Sequence, residues 1–188
     1  REEAEAFSDH TAFPVFEAPL AIVYNIPELD GHQFTLQLDV ETVGRIYSGL
    51  ITNWKDPDIL VHNPGLQDVL PDHNILVVAH IGSGGENFIF KSSMNESYAH
   101  YEEQLQDDTL EKGGPLGWPM GNGTFSYRSS SAGISYAVLT SPYTIGYSAY
   151  ATASELGLPQ ARISNGRDYV ALSTIAGVCG SSGLQAHQ

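Results

Sequence analysis

Apolar and polar positions follow one another along the chain in blocks that predict strands and helices in turn. Three short apolar runs bounded by turn residues are typical of buried strands, and they span residues 18–26, 75–79 and 144–151. Two further segments have apolar residues at helical spacing. These residues are Val43, Ile46, Tyr47 and Leu50, after a predicted N-cap at Asp39, and Ile134, Ala137 and Val138, in a helix from about Ser130 to Thr140. Strands that alternate with helices predict an α/β fold with a mixed sheet flanked by helices.

One segment, ILVVAHIGSGGENFIF at residues 75–90, carries an apolar strand through a glycine-rich turn into a helix predicted from about Gly85. We expect Phe88, Ile89 and Met94 of that helix to face the core. Backbone N–H groups at a helix start lack intrahelical partners and carry the positive end of the helix dipole, so this geometry is typical of an anion cradle. The candidate ligand-binding residues are His80, Ser83, Gly84, Gly85 and Glu86.

Each of these side chains also has a purely structural interpretation. His80 at a strand end is placed as a partly exposed histidine would be, and Ser83 as a cap or turn hydroxyl. Glu86 lies in the first helical turn, where the dipole stabilises a carboxylate, but its charge also competes with an anion for the same amides. The turn contains no arginine or lysine. The sequence thus predicts an anion cradle whose one charged residue opposes an anion.

Composition excludes several function classes. With 8 basic and 22 acidic residues the chain has a formal charge of −14, which argues against nucleic acid or an acidic membrane surface as a partner. No apolar run approaches the roughly 20 residues of a membrane span. The seven histidines do not have the spacing of a metal site, and no nucleophile and base pattern is present. We therefore expect a non-enzymatic protein without a metal or cofactor.

Two sequons bear on the cellular location. Asn95-Glu96-Ser97 and Asn122-Gly123-Thr124 both fit the acceptor pattern for N-glycosylation. Cys179 is the single cysteine, so its pairing partner, if it has one, lies outside this chain. The first residues, REEAEAF, have neither the basic nor the apolar part of a signal peptide, and we expect the chain to begin inside a larger precursor. The sequons favour an extracellular or cell-surface glycoprotein, with a periplasmic protein as the alternative.

The order of several motifs resembles one known family, the phosphate-binding proteins of bacterial phosphate ABC transporters (PstS-like proteins), which have the type II periplasmic-binding-protein fold. The matching phrases cover most of residues 13–155. They are FPVFEAPLAIVYNIPEL, LDVETVGRIYSGLITNWKDPDIL with NPGL after it, ILVVAHIGSGGENFIF, GPLGWPMGNG and AGISYAVLTSPYTIGYSAYATASE. The Trp118-Pro119 loop and the Ser-Pro-x-x-Ile-Gly-Tyr sequence are specific features, and we expect Trp54 and Trp118 to be core or loop anchors.

The resemblance implies a two-lobed clamp that closes on an anion, of which this chain supplies mainly the second lobe. Residues 1–19 then correspond to the crossover from a first lobe, residues 20–150 to the second lobe, and residues 151–188 to the return segment.

The resemblance also implies a set of phosphate ligands that this chain lacks. The family has an Arg-x-Asp-Gly-Ser-Gly-Thr pattern after the strand, whereas this chain has His80, Gly82, Gly84 and Glu86 in place of arginine, aspartate, serine and threonine. An imidazole does not replace a bidentate guanidinium. The residues therefore predict an extracellular domain that binds phosphate weakly and serves structural assembly or interaction with other protein chains. The alternative is a solute-binding module for phosphate or another oxyanion in transport, scavenging or sensing.

Overall fold

The computed structural model describes residues 19–81, 85–97, 118, 123–164 and 166–171. Seven strands and five helices occur in this part of the chain, with short 3₁₀ turns at Pro27–Leu29 and Pro64–Leu66. The strands are β1 (Leu20–Asn25), β2 (Gln37–Leu38), β3 (Leu76–His80), β4 (Thr124–Arg128), β5 (Thr144–Ala149), β6 (Arg162–Ser164) and β7 (Tyr169–Val170). The helices are α1 (Val40–Tyr47), α2 (Pro57–Leu60), α3 (Gly85–Ser97), α4 (Ser131–Thr140) and α5 (Tyr150–Glu155).

The main sheet has the strand order β1-β5-β3-β4. β1 is antiparallel to β5, whereas β3 is parallel to both β5 and β4. A smaller sheet has the order β2-β6-β7, with β2 parallel to β6. This is the mixed sheet predicted from the sequence, and no described helix is long and apolar enough to cross a membrane.

Helices pack on both faces of the main sheet. On one face α4 lies so close to β5 that a Cβ added to Gly146 would be 2.8 Å from Val138 and 2.9 Å from Ile134. On the other face Tyr147 stacks on Phe90 of α3, with ring centroids 4.3 Å apart. Their aromatic cluster continues through Tyr47 and Trp118, and these rings bury the centre of the lobe.

Most predicted elements are present with small changes of boundary. Asp39 caps α1 as predicted, because its carboxylate accepts a hydrogen bond from Thr42 N–H. The buried apolar stripe of α4 is also as predicted, and both Trp54 and Trp118 are fully buried. The predicted strand 144–151 is too long, because β5 ends at Ala149 and the next two residues begin α5. The predicted helix is too long where it includes Leu50, since α1 ends at Tyr47 and Leu50 lies exposed in the following turn.

The predicted buried face of α3 is wrong. Phe88 and Ile89 are 54% and 49% exposed, and only Met94 of the three predicted residues is buried. The helix instead buries a stripe at positions 87, 90, 91 and 94, which is regular helical spacing. Asn87 and Lys91 belong to this stripe, and their polarity conceals its register in the sequence.

Candidate functional site

Two adjacent parallel strands, β3 and β4, end at the same edge of the main sheet. His80 and Arg128 are their last residues and are register partners. Because side chains alternate along a strand and in-register neighbours point to the same face, these two side chains lie side by side. The pairing continues past the strand end, where Ile81 N–H donates to the carbonyl of Arg128 at 2.8 Å. Ligands of α/β folds bind outside the carboxyl ends of parallel strands, so this edge is the candidate site.

Two helices start at this edge. The chain leaves β3 and enters α3 at Gly85, and it leaves β4 and enters α4 at Ser131. Ser130 caps α4, since its hydroxyl accepts a hydrogen bond from Gly133 N–H at 3.1 Å. The N–H groups of the first helical turn that the cap does not reach have no intrahelical partner and carry partial positive charge.

The Arg128 side chain is held by hydrogen bonds to its own strand. Its Nη1 donates to Ser126 Oγ at 2.7 Å and to the carbonyl of Tyr127 at 2.8 Å. The stem lies against the first turn of α4, where a Cβ on Gly133 would be 3.3 Å from Arg128 Cβ. No described carboxylate comes within ion-pair distance of this guanidinium. The half-buried arginine therefore starts at the positive end of a helix, where an anion bound between the two would be favourable.

His80 is fixed through its backbone. Its N–H donates to Tyr147 Oη at 3.2 Å, and Trp118 Nε1 donates to its carbonyl at 3.0 Å. The Nδ1 atom of the ring is buried and has no hydrogen-bond partner in the described part of the chain. The imidazole beside Arg128 thus has unused hydrogen-bonding capacity.

A buried polar cluster lies on the opposite face of the same edge. Tyr147 donates to Asn87 Oδ1 at 3.0 Å. Burial raises the pKa of Tyr147, the hydrogen bond from His80 N–H lowers it, and the charge of Glu86 raises it further. Lys91 is only 1% exposed, with its Nζ 4.6 Å from the centroid of the Trp118 ring. The cluster fixes the start of α3 against the end of β3.

The comparisons with known proteins place this geometry in a family. A sequence model described as the PBP superfamily domain matches residues 2–185. The chain belongs to this family. The lobe is similar to the solved ABC-type phosphate transport receptor from Vibrio cholerae, with a TM-score of 0.56 and 21% identity, over 86% of this chain and 51% of that one. The predicted PstS-like, type II fold is confirmed.

Two sequence relatives of this PBP chain differ in architecture. A phosphate-binding protein PstS of Methanocaldococcus jannaschii is 29% identical over 154 residues, which are 81% of this chain and 38% of the relative. A putative serine/threonine-protein kinase/receptor of Acanthamoeba polyphaga mimivirus is 37% identical over 106 residues, which are 56% of this chain and 6% of the relative. The chain therefore spans well under half of the length of either curated relative.

The structure places part of the predicted site. His80, Gly85 and Glu86 lie around the turn that joins β3 to α3, and one carboxylate oxygen of Glu86 is buried with no described hydrogen-bond partner. Ser83 and Gly84 lie outside the described residues, as do Asn122 and Cys179, and the side chain of Asn95 is likewise not described. No group of three metal-ligating side chains occurs in the ranges that the structure describes.

Sequence reasoning missed Arg128 of the PBP lobe. The signal was present, because Arg128 is followed by three serines and a predicted helix start, which is the same strand, turn and helix arrangement as at His80. β4 itself was not predicted, although three of its five residues, Thr124, Phe125 and Tyr127, are of types that are enriched in strands.

Proposed function

We propose that this chain is an oxyanion-binding lobe of a PBP superfamily protein, with phosphate as the first candidate ligand. The observation that carries the proposal is the position of Arg128, beside His80 and at the start of α4. An oxyanion there meets a guanidinium, serine hydroxyls and helix N–H groups, which are the donors that tetrahedral oxyanions require. The phosphate-binding relative and the similar transport receptor support phosphate as the ligand.

The lack of a cation in the glycine-rich turn argues against an anionic ligand, and the position of Arg128 weakens that argument. That turn lacks a cation, but the neighbouring strand supplies one on the same face as His80. Glu86 acts electrostatically on Tyr147, and Tyr147 packs on the α3 face of the sheet while Arg128 packs on the α4 face. We therefore do not expect Glu86 to compete directly for an anion held by Arg128.

A non-enzymatic interaction domain outside the cytoplasm is the second candidate. The relative within a putative viral kinase/receptor supports it, because this type of domain occurs there as a small part of a long chain. The charge of −14 and the two sequons agree with a secreted or cell-surface location. If the protein enters a eukaryotic secretory pathway, intact-mass analysis is expected to find sugar on Asn95 or Asn122. Unmodified asparagine at both positions in native material argues for the periplasmic alternative.

Isothermal titration of the full chain with phosphate and with sulfate tests the first proposal. We expect saturable phosphate binding that Arg128→Gln weakens about tenfold or more, because charge-assisted hydrogen bonds to the guanidinium are lost. Lys55→Gln is the matched control. Lys55 is exposed, two residues after Asn53, and Asn53 bridges Asn74 near the opposite end of β3. No saturable response of the wild-type chain to either anion overturns the proposal and leaves the interaction domain in first place.

A further inference from the structure

A second cleft lies beside the smaller sheet, and none of its lining residues belongs to the oxyanion site. Its volume is about 300 Å³, which is at the lower limit of the range for small-molecule sites. Phe34, Gln37 and Arg162 form its walls together with the 3₁₀ turn Pro64–Leu66.

The frame of this cleft is rigid. Gln37 and Arg162 are register partners on β2 and β6, so their side chains lie side by side. On the other edge of β2, the buried Asn63 side chain accepts from Gln37 N–H at 2.8 Å and donates to the Gln37 carbonyl at 2.7 Å. Asn63 also donates to the carbonyl of Ile59 at 2.8 Å. The backbone that carries the cleft is therefore fixed from both sides.

The cleft is less acidic than the protein around it, although Asp39 Oδ2 lies 3.5 Å from Nε2 of the lining residue His62. The chain carries 22 acidic residues against 8 basic ones, yet no aspartate or glutamate lines the cleft, and Arg162 does. No carboxylate among the described residues is within ion-pair distance of Arg162. An anion is the complementary ligand.

The other residues of the cleft indicate what the uncharged part of the ligand would be. The side chains of Gln33, Thr35 and Gln37 line the cleft, and in the described part of the chain none of them has a hydrogen-bond partner. Phe34 remains 46% exposed, with its ring 3.7 Å from the place where a Cβ of Gly65 would lie. Side-chain amides both donate to and accept from hydroxyl groups, and an exposed aromatic ring offers an apolar contact for the C–H face of a small ring.

We propose that this cleft binds a monosaccharide-sized hydroxylated carboxylate, of which a uronic acid is the simplest example. The carboxylate lies against the Arg162 guanidinium, the amides and the Thr35 hydroxyl contact the hydroxyl groups, and the ring contacts Phe34. The proposal does not depend on anion binding at Arg128.

Heteronuclear NMR of the full chain tests it, with sodium glucuronate as the probe and glucose and inorganic phosphate for comparison. Glucuronate is expected to shift the signals of both Arg162 and Phe34 in a saturable manner, and glucose to bind at least about tenfold more weakly because it lacks the carboxylate. Arg162→Gln is expected to weaken glucuronate binding about tenfold, and Phe34→Ala to weaken it by a smaller factor. Both side chains are exposed, so neither change removes core packing.

Lys55→Gln again controls for the change in net charge and is expected to leave glucuronate binding unchanged. The absence of saturable shifts at Arg162 and Phe34 overturns the proposal, and so does an Arg162→Gln variant that binds as the wild type does. If phosphate binds at Arg162 as tightly as glucuronate, the assignment to a hydroxylated carboxylate is wrong.

Discussion

The ring of Tyr143 stacks on the imidazole of His73, with ring centroids 3.8 Å apart and an interplanar angle of 18°. Tyr143 is also the one non-glycine residue with positive φ, at 60°, in the part of the chain that the structure describes. This conformation costs an L residue about 1–2 kcal/mol. Its hydroxyl donates to Glu28 Oε1 at 3.1 Å, so the stack and the hydrogen bond together hold the turn between α4 and β5.

Paired substitutions at Tyr143 separate backbone strain from side-chain contacts. We expect Tyr143→Ala to have a free energy of unfolding about 1 kcal/mol lower than Tyr143→Gly, because both variants lose the contacts and only alanine keeps the strained backbone. Urea denaturation of the two variants measures the difference. Equal stabilities would mean that the turn relaxes when the ring is removed.

Gly146 lies where α4 packs tightly against the main sheet. Gly146→Ala places a methyl group 2.8 Å from Val138 and 2.9 Å from Ile134, and we expect the free energy of unfolding to fall by about 1–3 kcal/mol through overpacking. Gly85→Ala is the control, since its added Cβ meets nothing within 4 Å. A Gly146→Ala variant as stable as Gly85→Ala contradicts the close packing of α4.

The buried Tyr147 is expected to lower the stability of the fold at alkaline pH. Its pKa is raised by burial, whereas an unfolded tyrosine ionises near about pH 10. Above that pH the unfolded chain loses a proton that the folded chain retains, so the free energy of unfolding falls as the pH rises. We expect the fall to be less steep in Tyr147→Phe, as measured by urea midpoints at about pH 9 and pH 11. A Tyr147→Phe variant whose stability falls as steeply with pH as that of the wild type argues against this origin.

Glu86→Gln distinguishes an anion beside Arg128 from one on the amides of the glycine-rich turn. If the anion lies beside Arg128, on the α4 face of the sheet, the Glu86 charge is farther away and its removal has only a small effect on affinity. If it lies against the amides next to Glu86, removing repulsion of roughly 4 kcal/mol at about 4 Å strengthens binding by orders of magnitude. We expect the small effect. A large gain in the phosphate affinity of Glu86→Gln, measured by titration, would place the anion at the glycine-rich turn instead.

The helices and strands that are specified by residues close together in the chain could be predicted from the sequence. The N-cap at Asp39, the apolar strands and the stripe of α4 depend on neighbours within a few residues, and all are present. The face of α3 could not be predicted, because Asn87 and Lys91 are buried through contacts with Tyr147 and Trp118 that lie far away in sequence.

Only the part of the candidate site that contains His80 could be predicted from the sequence. His80 follows an apolar strand and attracts attention by its position, whereas Arg128 becomes relevant once β4 is known to pair with β3 in parallel. That pairing joins residues 48 positions apart, and no local pattern specifies it.

The Asn63 amide also has a consequence for how the protein behaves in concentrated solution. β2 is the outer strand of its sheet, and an open outer strand is a template on which strands of other molecules assemble. Asn63 occupies both backbone groups of Gln37 on that side, so a single side chain closes the position to a foreign strand. Removal of this amide by Asn63→Ala would thus expose the protein to self-association as well as to loss of stability.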